Sequence, residues 1–124
     1  MKIQTETFPL VSCIMPTYNR RKFIPQAIRY FLSQDYERKE LIVVDYGTDP
    51  VRDLIPTDDH IRYIRLDRKL TVGAKRNLAC EQAHGEIIAH WDDDDWMADR
   101  RLSYQAGYLQ QEHADIWSES GLLL

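Results

Sequence analysis

The sequence contains no apolar run that approaches the about 20 residues a helix needs to cross a bilayer. Residues 1–8 are mainly polar and lack the pattern of a signal peptide. The formal net charge of −4 also disfavours a general nucleic-acid-binding surface. We therefore expect a cytoplasmic chain with no membrane segment and no nucleic-acid partner.

Cysteine is scarce, with two residues in 124, and the four histidines have no paired spacing. These patterns exclude the usual zinc ligand motifs and a disulfide framework. Cys13 lies in an apolar run and Cys80 in a helical pattern, so we expect two buried, reduced thiols. The balance of 44% hydrophobic and 29% charged residues is typical of one compact domain, which we assign to residues 1–124.

Short apolar runs alternate with helical patterns along the chain. The runs predict strands at residues 10–15, 41–44, 61–66 and 87–91, with a fifth suggested at 116–117. The helical patterns cover residues 21–34, 73–84 and 99–111. Pro16 is expected to end the first strand, Pro25 to lie in the first turn of its helix, and Gly85 to be a C-cap. The alternation predicts right-handed βαβ units and an α/β fold with an open, helix-covered parallel sheet.

Ligands of such sheets bind beyond the carboxyl ends of the strands. Three segments of unusual composition follow predicted strands there, namely residues 16–20, 45–49 and 92–96. We expect these segments to converge on one crevice.

The third of these segments begins with four adjacent aspartates. Asp92, Asp93, Asp94 and Asp95 repel one another, and a hard divalent cation with oxygen ligands would relieve that repulsion. Asp92 and Asp94 point the same way in an extended segment, so this Asp-x-Asp pair can hold one Mg²⁺ or Mn²⁺. The alternative is a solvated acidic turn in which Asp95 or Asp99 caps the next helix.

Several motifs in this chain resemble those of the GT-A glycosyltransferases of family 2. The sequence VSCIMPTYNR at residues 11–20 is similar to the opening strand and loop of that family, and VVDYGTD at 43–49 is similar to its VVDDGSTD segment. GAKRN at 73–77, GEII at 85–88 and the four aspartates are similar to its GxxxARN…GEYIxxxDxDD stretch. Each motif alone is weak evidence, but all of them occur in the family's order.

The resemblance implies a Rossmann-like GT-A sandwich, and an inverting enzyme that transfers a sugar from a UDP- or GDP-sugar to an acceptor glycan or other hydroxyl. Cell-envelope polysaccharide biosynthesis is the expected setting. Asp92 and Asp94 would hold the Mn²⁺ or Mg²⁺ that bridges the diphosphate, and Asp92 and Asp93 would also approach the nucleotide. The other nucleotide contacts that the resemblance implies are Pro16, Thr17, Tyr18, Asn19 and Arg20 around the base, Asp45 and Tyr46 beside the base or ribose, and Lys75 or Arg76 near the base or diphosphate.

Some of these residues have plainer interpretations. Lys75 and Arg76 would serve equally as surface residues at the start of a helix. Asn19 would equally cap the first helix, and Tyr18 would equally be a packing residue.

Tyr46 departs from the family pattern, which often has aspartate at this position. A carboxylate there accepts the imino N–H of uracil, whereas a phenol offers one hydroxyl on a larger ring. Tyr46 would therefore stack on a base, obstruct the pocket, or pack against its own loop. The first two alternatives both predict weak discrimination between UDP and GDP.

The chain length is the second departure, because Leu124 follows soon after the aspartates. The family's acceptor contacts and catalytic base lie beyond the metal motif. We therefore expect a truncated, donor- and metal-binding half, with self-association through the apolar end of the chain. Glu112 and Glu119 are candidate bases by elimination only, and the catalytic residue stays unknown.

Two other classes of function compete with an active transferase. The first is a catalytically inactive module that binds a nucleotide and a metal. The second is a different Mg²⁺ phosphotransfer domain, such as a receiver or a Toprim-like domain. Both of these need an acidic residue after the first strand, where this chain has Pro-Thr-Tyr-Asn, so the sequence disfavours them.

Overall fold

The computed structural model describes residues 9–66, 72–94, 97–112, 116–118 and 121–122. Its strands are β1 (Val11–Thr17), β2 (Lys39–Asp45), β3 (Ile61–Arg65), β4 (Ile87–His90), β5 (Ile116–Ser118) and β6 (Gly121–Leu122). Its α-helices are α1 (Ile24–Leu32), α2 (Val72–Gln82) and α3 (Arg101–Glu112), and single 3-10 turns lie at Arg21–Phe23 and Arg52–Leu54. Within these residues, no helix combines the length and the apolar character that crossing a membrane requires.

The strands form one sheet in the order β3-β2-β1-β4-β5-β6. Strands β1 to β5 are parallel, which confirms the predicted fold class, and β3 lies at an edge as expected. The short β6 pairs antiparallel with β5. Because β1 and β2 are in register up to Thr17 and Asp45, the loops that follow them leave the sheet side by side.

Both faces of the central strands are buried, which explains their continuous apolar sequences. Alternate side chains of β1 and β2, such as Met15 and Val43, pack with Phe31 and Trp91 on one face. The residues between them pack on the other face, where Ile14 meets the cluster that includes Ala79 of α2. Burial of each large apolar side chain contributes about 1.5–3 kcal/mol, so this two-sided core holds the sheet rigid beneath its carboxyl edge.

Pro16 does not end β1, contrary to the prediction. The strand continues to Thr17, and Pro16 pairs with Val44 of β2. The carbonyl of Ile14 accepts the backbone N–H of Trp91 on the β4 side, so the N–H that Pro16 lacks would face that same side. The β1–β4 ladder has already ended at Ile14, and the proline therefore removes no ladder hydrogen bond.

Pro25 lies in the first turn of α1, as predicted. The predicted helices are otherwise one to three residues off at their ends, and the first begins with the 3-10 turn. Gly85 is not the C-cap that was predicted, because α2 ends at Gln82. A Cβ on Gly85 would lie 2.5 Å from Oγ of Ser12 and 2.6 Å from the carbonyl oxygen of Leu10, so glycine is needed there for the close approach to β1.

A buried polar network surrounds Ser12 at the amino ends of the strands, opposite the predicted crevice. The Ser12 hydroxyl donates to Glu40, and the backbone N–H of His84 donates to the same carboxylate at 2.7 Å. Arg62 pairs with Glu40 at 3.2 Å. Burial alone would raise the pKa of Glu40, but these hydrogen bonds and the nearby charge of Arg62 bring that pKa below its ordinary value.

Neither cysteine forms a disulfide, as expected, but only one of the two is buried. Cys13 is fully buried in β1, and burial raises the pKa of its thiol to about 12. Cys80 is exposed on α2, so the prediction of a second buried thiol was wrong. Cys80 follows the buried Ala79 in the sequence, but it does not lie on the face of α2 that packs against the sheet.

Candidate functional site

The three predicted loop segments do meet at the carboxyl edge of the sheet, in the part of the chain that the structure describes. The backbone N–H of Tyr46 donates to the carbonyl of Thr17 at 3.1 Å, which joins the loops after β1 and β2. The hydroxyl of Thr17 donates to Asp93 at 2.8 Å, which joins the loop after β1 to the acidic turn after β4. Asp95 and Trp96 lie outside the described residues.

Asn19 binds the loop after β2. Its Oδ1 accepts the backbone N–H groups of Thr48 at 2.8 Å and of Asp49 at 3.0 Å, so the predicted alternative of a helix cap is wrong. Asn19 has a positive φ of 53°, a conformation that asparagine tolerates better than most residues. A Cβ on Gly47 would lie 2.5 Å from Asn19 Oδ1, so the two loops fit together only with glycine at that position.

Arg21 ties the start of the first helical segment to the same loop. Its guanidinium donates to Asp49 at 3.0 Å, to Asp53 at 2.8 Å and to the carbonyl of Pro50 at 2.7 Å. Hydrogen bonds from Arg21 lower the pKa of both carboxyl groups. This role of Arg21 was not predicted from the sequence.

Asp45 is fully buried at the end of β2, and its carboxylate holds the loop that follows. Oδ1 accepts the N–H of Gly47 at 3.0 Å and lies 3.5 Å from the guanidinium of Arg65. Oδ2 accepts the N–H of Val51 at 2.9 Å and the hydroxyl of Tyr63. Burial, followed by the bond to Asp45, raises the pKa of Tyr63 to about 12.

Tyr63 and Arg65 were not predicted as partners of this carboxylate. The two residues are two positions apart on β3, the edge strand that pairs with β2, so their side chains point to the same face. The available signal was the presence of two side chains with polar groups, Tyr63 and Arg65, two positions apart on the edge strand. Direct contact between Asp45 and a base or ribose stays a prediction.

The acidic turn is anchored by the residue that precedes it. Trp91 is fully buried, and its indole N–H donates to the carbonyl of Ala27 in α1 at 3.1 Å. Its ring meets Phe31 edge to face at 6.2 Å between centroids. Trp91 is therefore a core residue that fixes where the turn leaves the sheet.

Asp99, the alternative helix cap, instead accepts a hydrogen bond from the hydroxyl of Ser33 at 3.0 Å.

Asp93 is half-buried in the turn, whereas Asp92 and Asp94 are exposed. Nε of Arg20 lies 3.6 Å from Asp93, and the same guanidinium donates to Asp94. Burial raises the pKa of Asp93, while the hydrogen bond from Thr17 and the charge of Arg20 oppose that rise. The guanidinium of Arg20 thus supplies the positive charge that the aspartates require in this structure.

The donor set of this turn fits a divalent cation in its chemistry. Within the described residues, no group of three or more histidine, cysteine or acidic side chains is placed to hold a metal. Mg²⁺ and Mn²⁺ commonly use only one or two protein carboxylates and take their other ligands from water and substrate phosphates. Asp92 and Asp94 provide two such carboxylates, and a cationic group already pairs with Asp94.

Two tyrosines that were predicted to contact the nucleotide lie against each other at this edge. The ring centroids of Tyr18 and Tyr46 are 5.1 Å apart, and their planes are inclined by 34°. Tyr18 is 41% exposed and Tyr46 is partly exposed. The ring of Tyr46 therefore contacts the loop after β1, and the three alternatives for its role stay predictions.

The remaining predicted residues are placed less completely. Pro16 lies within β1, directly before Thr17. Lys75 and Arg76 lie in the first half of α2, but their side chains are not among the described parts of the structure. The same is true of the side chain of Glu112 and of all of Glu119. Their predicted roles stay predictions.

A parallel sheet with loops of this kind at its carboxyl edge is the architecture of GT-A glycosyltransferases. The mannosyltransferase PcManGT from Pyrobaculum calidifontis, solved in complex with GDP-Man and Mn²⁺, matches 82% of this chain with a TM-score of 0.73 and 26% sequence identity. TarS 1-349 of Staphylococcus aureus, solved in complex with UDP-GlcNAc, matches 86% of the chain with a TM-score of 0.72 and 28% identity. Each match covers 32% of the other protein's chain.

Residues 12–118 match the sequence family described as glycosyl transferase family 2, and the chain belongs to that family. WcaA of Escherichia coli K12, whose name assigns it to colanic acid biosynthesis, is 38% identical over 117 residues. That alignment covers 89% of this chain and 42% of WcaA. The chain spans less than half the length of the curated relatives that it matches.

Proposed function

We propose that this chain forms the donor- and metal-binding part of an inverting glycosyltransferase, which passes a sugar from a nucleoside diphosphate sugar to a hydroxyl of a cell-envelope glycan. The observation that carries this proposal is the meeting of the loops after β1, β2 and β4, which brings Tyr18 and Tyr46 to the same sheet edge as Asp93. The ligands named for PcManGT and TarS support a nucleotide sugar as donor. The name of WcaA supports the class of acceptor.

The chemistry of glycosyl transfer matches the charges at this edge. Negative charge develops on the departing nucleoside diphosphate, while the sugar acquires oxocarbenium character. A divalent cation, when bound, would act as a Lewis acid that stabilises the leaving group. Asp92 and Asp94 would hold it. Thr17 orients Asp93 between them by its hydrogen bond, and Arg20 adds a positive charge beside the same turn.

The acceptor contacts and the catalytic base are not assigned to residues of this chain. Inversion requires a base that takes the proton of the acceptor hydroxyl. The relatives are more than twice as long as the matched segment, and we infer that acceptor contacts and the base belong to the part of the enzyme beyond it. The cytoplasmic location and self-association stay predictions.

Binding of nucleoside diphosphates with and without metal tests the proposal. We expect calorimetry to show UDP or GDP binding in Mn²⁺, with at least a tenfold loss of affinity in EDTA. Asp94→Asn should reproduce most of that loss in Mn²⁺, because it removes a charge as well as a ligand. Asp59→Asn is the matched control, since Asp59 is an exposed aspartate in the turn before β3. Equal affinity in Mn²⁺ and EDTA would contradict the proposed metal role.

Sugar transfer is measured separately with a labelled donor. We expect this chain alone to bind the donor without transferring the sugar, and slow donor hydrolysis is compatible with the proposal. Steady transfer by the chain alone would contradict our assignment of the base to a segment beyond it. Binding with neither hydrolysis nor transfer in the full-length enzyme would instead favour an inactive nucleotide-binding module.

A further inference from the structure

The polar side chains of the loops after β1 and β2 are bonded largely to one another. Asp45 is fully buried and accepts hydrogen bonds from its own loop on both oxygens. The amide of Asn19 binds Thr48 and the backbone of Asp49 through Oδ1, and it donates to the Thr48 hydroxyl through Nδ2. The carboxylate of Asp49 in turn pairs with Arg21. Each side chain would have to give up bonds within the protein before it could bind the edge of a ligand.

The loops after β1 and β2 also carry two aromatic rings. Tyr18 and Tyr46 meet at 5.1 Å between centroids, and both rings keep part of their surface in solvent. Their backbones are held in place, because the N–H of Tyr46 donates to the carbonyl of Thr17 at the very end of β1. The hydroxyl of Thr17 binds Asp93. The tyrosine pair, Tyr18 with Tyr46, is therefore an exposed aromatic surface that is anchored next to the acidic turn.

We infer that the base of the donor stacks on the faces of the tyrosine pair, and that no side chain of this site reads the edge of the base. Tyr46 therefore makes the site permissive for different bases. The inference rests on the proposed function, since it concerns the base of the same nucleoside diphosphate donor.

The physical reason lies in what each kind of contact can distinguish. A charged or polar side chain at a base edge accepts or donates at fixed positions, and a base with the wrong pattern leaves a buried group unpaired. Stacking uses the π-face that every base has, and it tolerates different sequences for that reason. With Asp45 and Asn19 bonded within the loops, the rings of the tyrosine pair are the described side chains best placed to contribute, and they contribute without selecting one base.

The test compares the affinities of UDP, GDP and ADP at one fixed Mn²⁺ concentration, measured by calorimetry. For the unaltered chain we expect the three affinities to lie within about tenfold of one another. Tyr46→Phe keeps the ring and should keep all three affinities. Tyr46→Ala should lower all three by a similar factor of about 5 to 150, the range for loss of one stacked base. Tyr104→Ala, which removes a 72% exposed ring on α3, is the control and should change none of them.

Three results would overturn the inference while leaving the proposed function intact. The first is a hundredfold preference of the unaltered chain for one base. The second is a Tyr46→Phe variant that loses affinity for one base only, which would mean that the hydroxyl reads an edge. The third is a Tyr46→Ala variant that folds and binds all three nucleotides with unchanged affinity. Failure of all three nucleotides to bind in Mn²⁺ would overturn the inference and the proposed function together.

Discussion

Replacing Asp45 by asparagine would test how the carboxyl edge of the sheet is built. The substitution keeps the shape of the side chain but removes its charge and turns one acceptor oxygen into an NH₂ donor. If the NH₂ group takes the place of Oδ1, it faces two groups that can only donate, Gly47 N–H and Arg65. If it takes the place of Oδ2, the Tyr63 hydroxyl can turn to accept it, but the N–H of Val51 loses its acceptor.

The second orientation is the less costly one, and it sets the expected magnitude. A buried N–H without an acceptor costs about 1–3 kcal/mol, and the bonds that remain weaken because they no longer end on a charged oxygen. We expect Asp45→Asn to lower the free energy of unfolding by about 2–4 kcal/mol in total. A domain of this size commonly has about 5–15 kcal/mol of stability, so the variant should still fold.

Urea unfolding followed by circular dichroism measures this loss as a shift of the midpoint at an unchanged slope. Asp59→Asn, at an exposed aspartate in the turn before β3, is the control and should stay within about 0.5 kcal/mol of the unaltered chain. The reasoning is refuted if Asp45→Asn and Asp59→Asn unfold at the same midpoint. In that case the carboxylate does not hold the loop, and the argument that it is withdrawn from the base also fails.

Two further predictions concern the acidic turn and the opposite end of the sheet. Arg20→Gln should bind Mn²⁺ in the absence of nucleotide up to about fivefold more tightly, because the guanidinium competes with metal for Asp94 and exposed ion pairs contribute about 0.2–1 kcal/mol. Electron paramagnetic resonance of free Mn²⁺ measures this change in affinity. Arg29→Gln, which removes one positive charge elsewhere, is the control. Unchanged or weaker Mn²⁺ binding by Arg20→Gln would contradict the prediction. The second prediction concerns Glu40, whose pKa in the folded chain is lower than its ordinary value of 4.5. The ionised carboxylate therefore stabilises the fold in full above pH 4.5. This contribution is lost as the pH falls through the folded pKa. Acidification below about pH 4.5 should therefore destabilise the unaltered chain more than Glu40→Gln, and parallel stability–pH curves for the two proteins would show that Glu40 has no such role.

The alternation of apolar runs and helical patterns was enough to predict the fold class and the meeting of the loops after β1, β2 and β4 at the carboxyl edge of the sheet. Met15 and Val43 are buried on one face of the sheet, and Ile14 and Ile42 are buried on the other. Continuous apolar strands are typical of a parallel sheet that is covered on both faces. The order of motifs along the chain was likewise enough to predict the family. These properties depend on local composition and on chain order, which the sequence states directly.

The partners of individual polar groups were decided by the tertiary structure. Asp45 and Asn19 have the residue types of ligand contacts, but Asp45 binds the backbone of its own loop after β2, and Asn19 of the loop after β1 binds the backbone of that same loop. Tyr63 and Arg65 reach Asp45 because β3 pairs with β2. Gly85 owes its place to a strand far away in the sequence and not to the end of its own helix. Hydrogen bonds and close contacts of this kind join residues that are distant along the chain, so their geometry is set by strand order and register, which local sequence patterns do not contain.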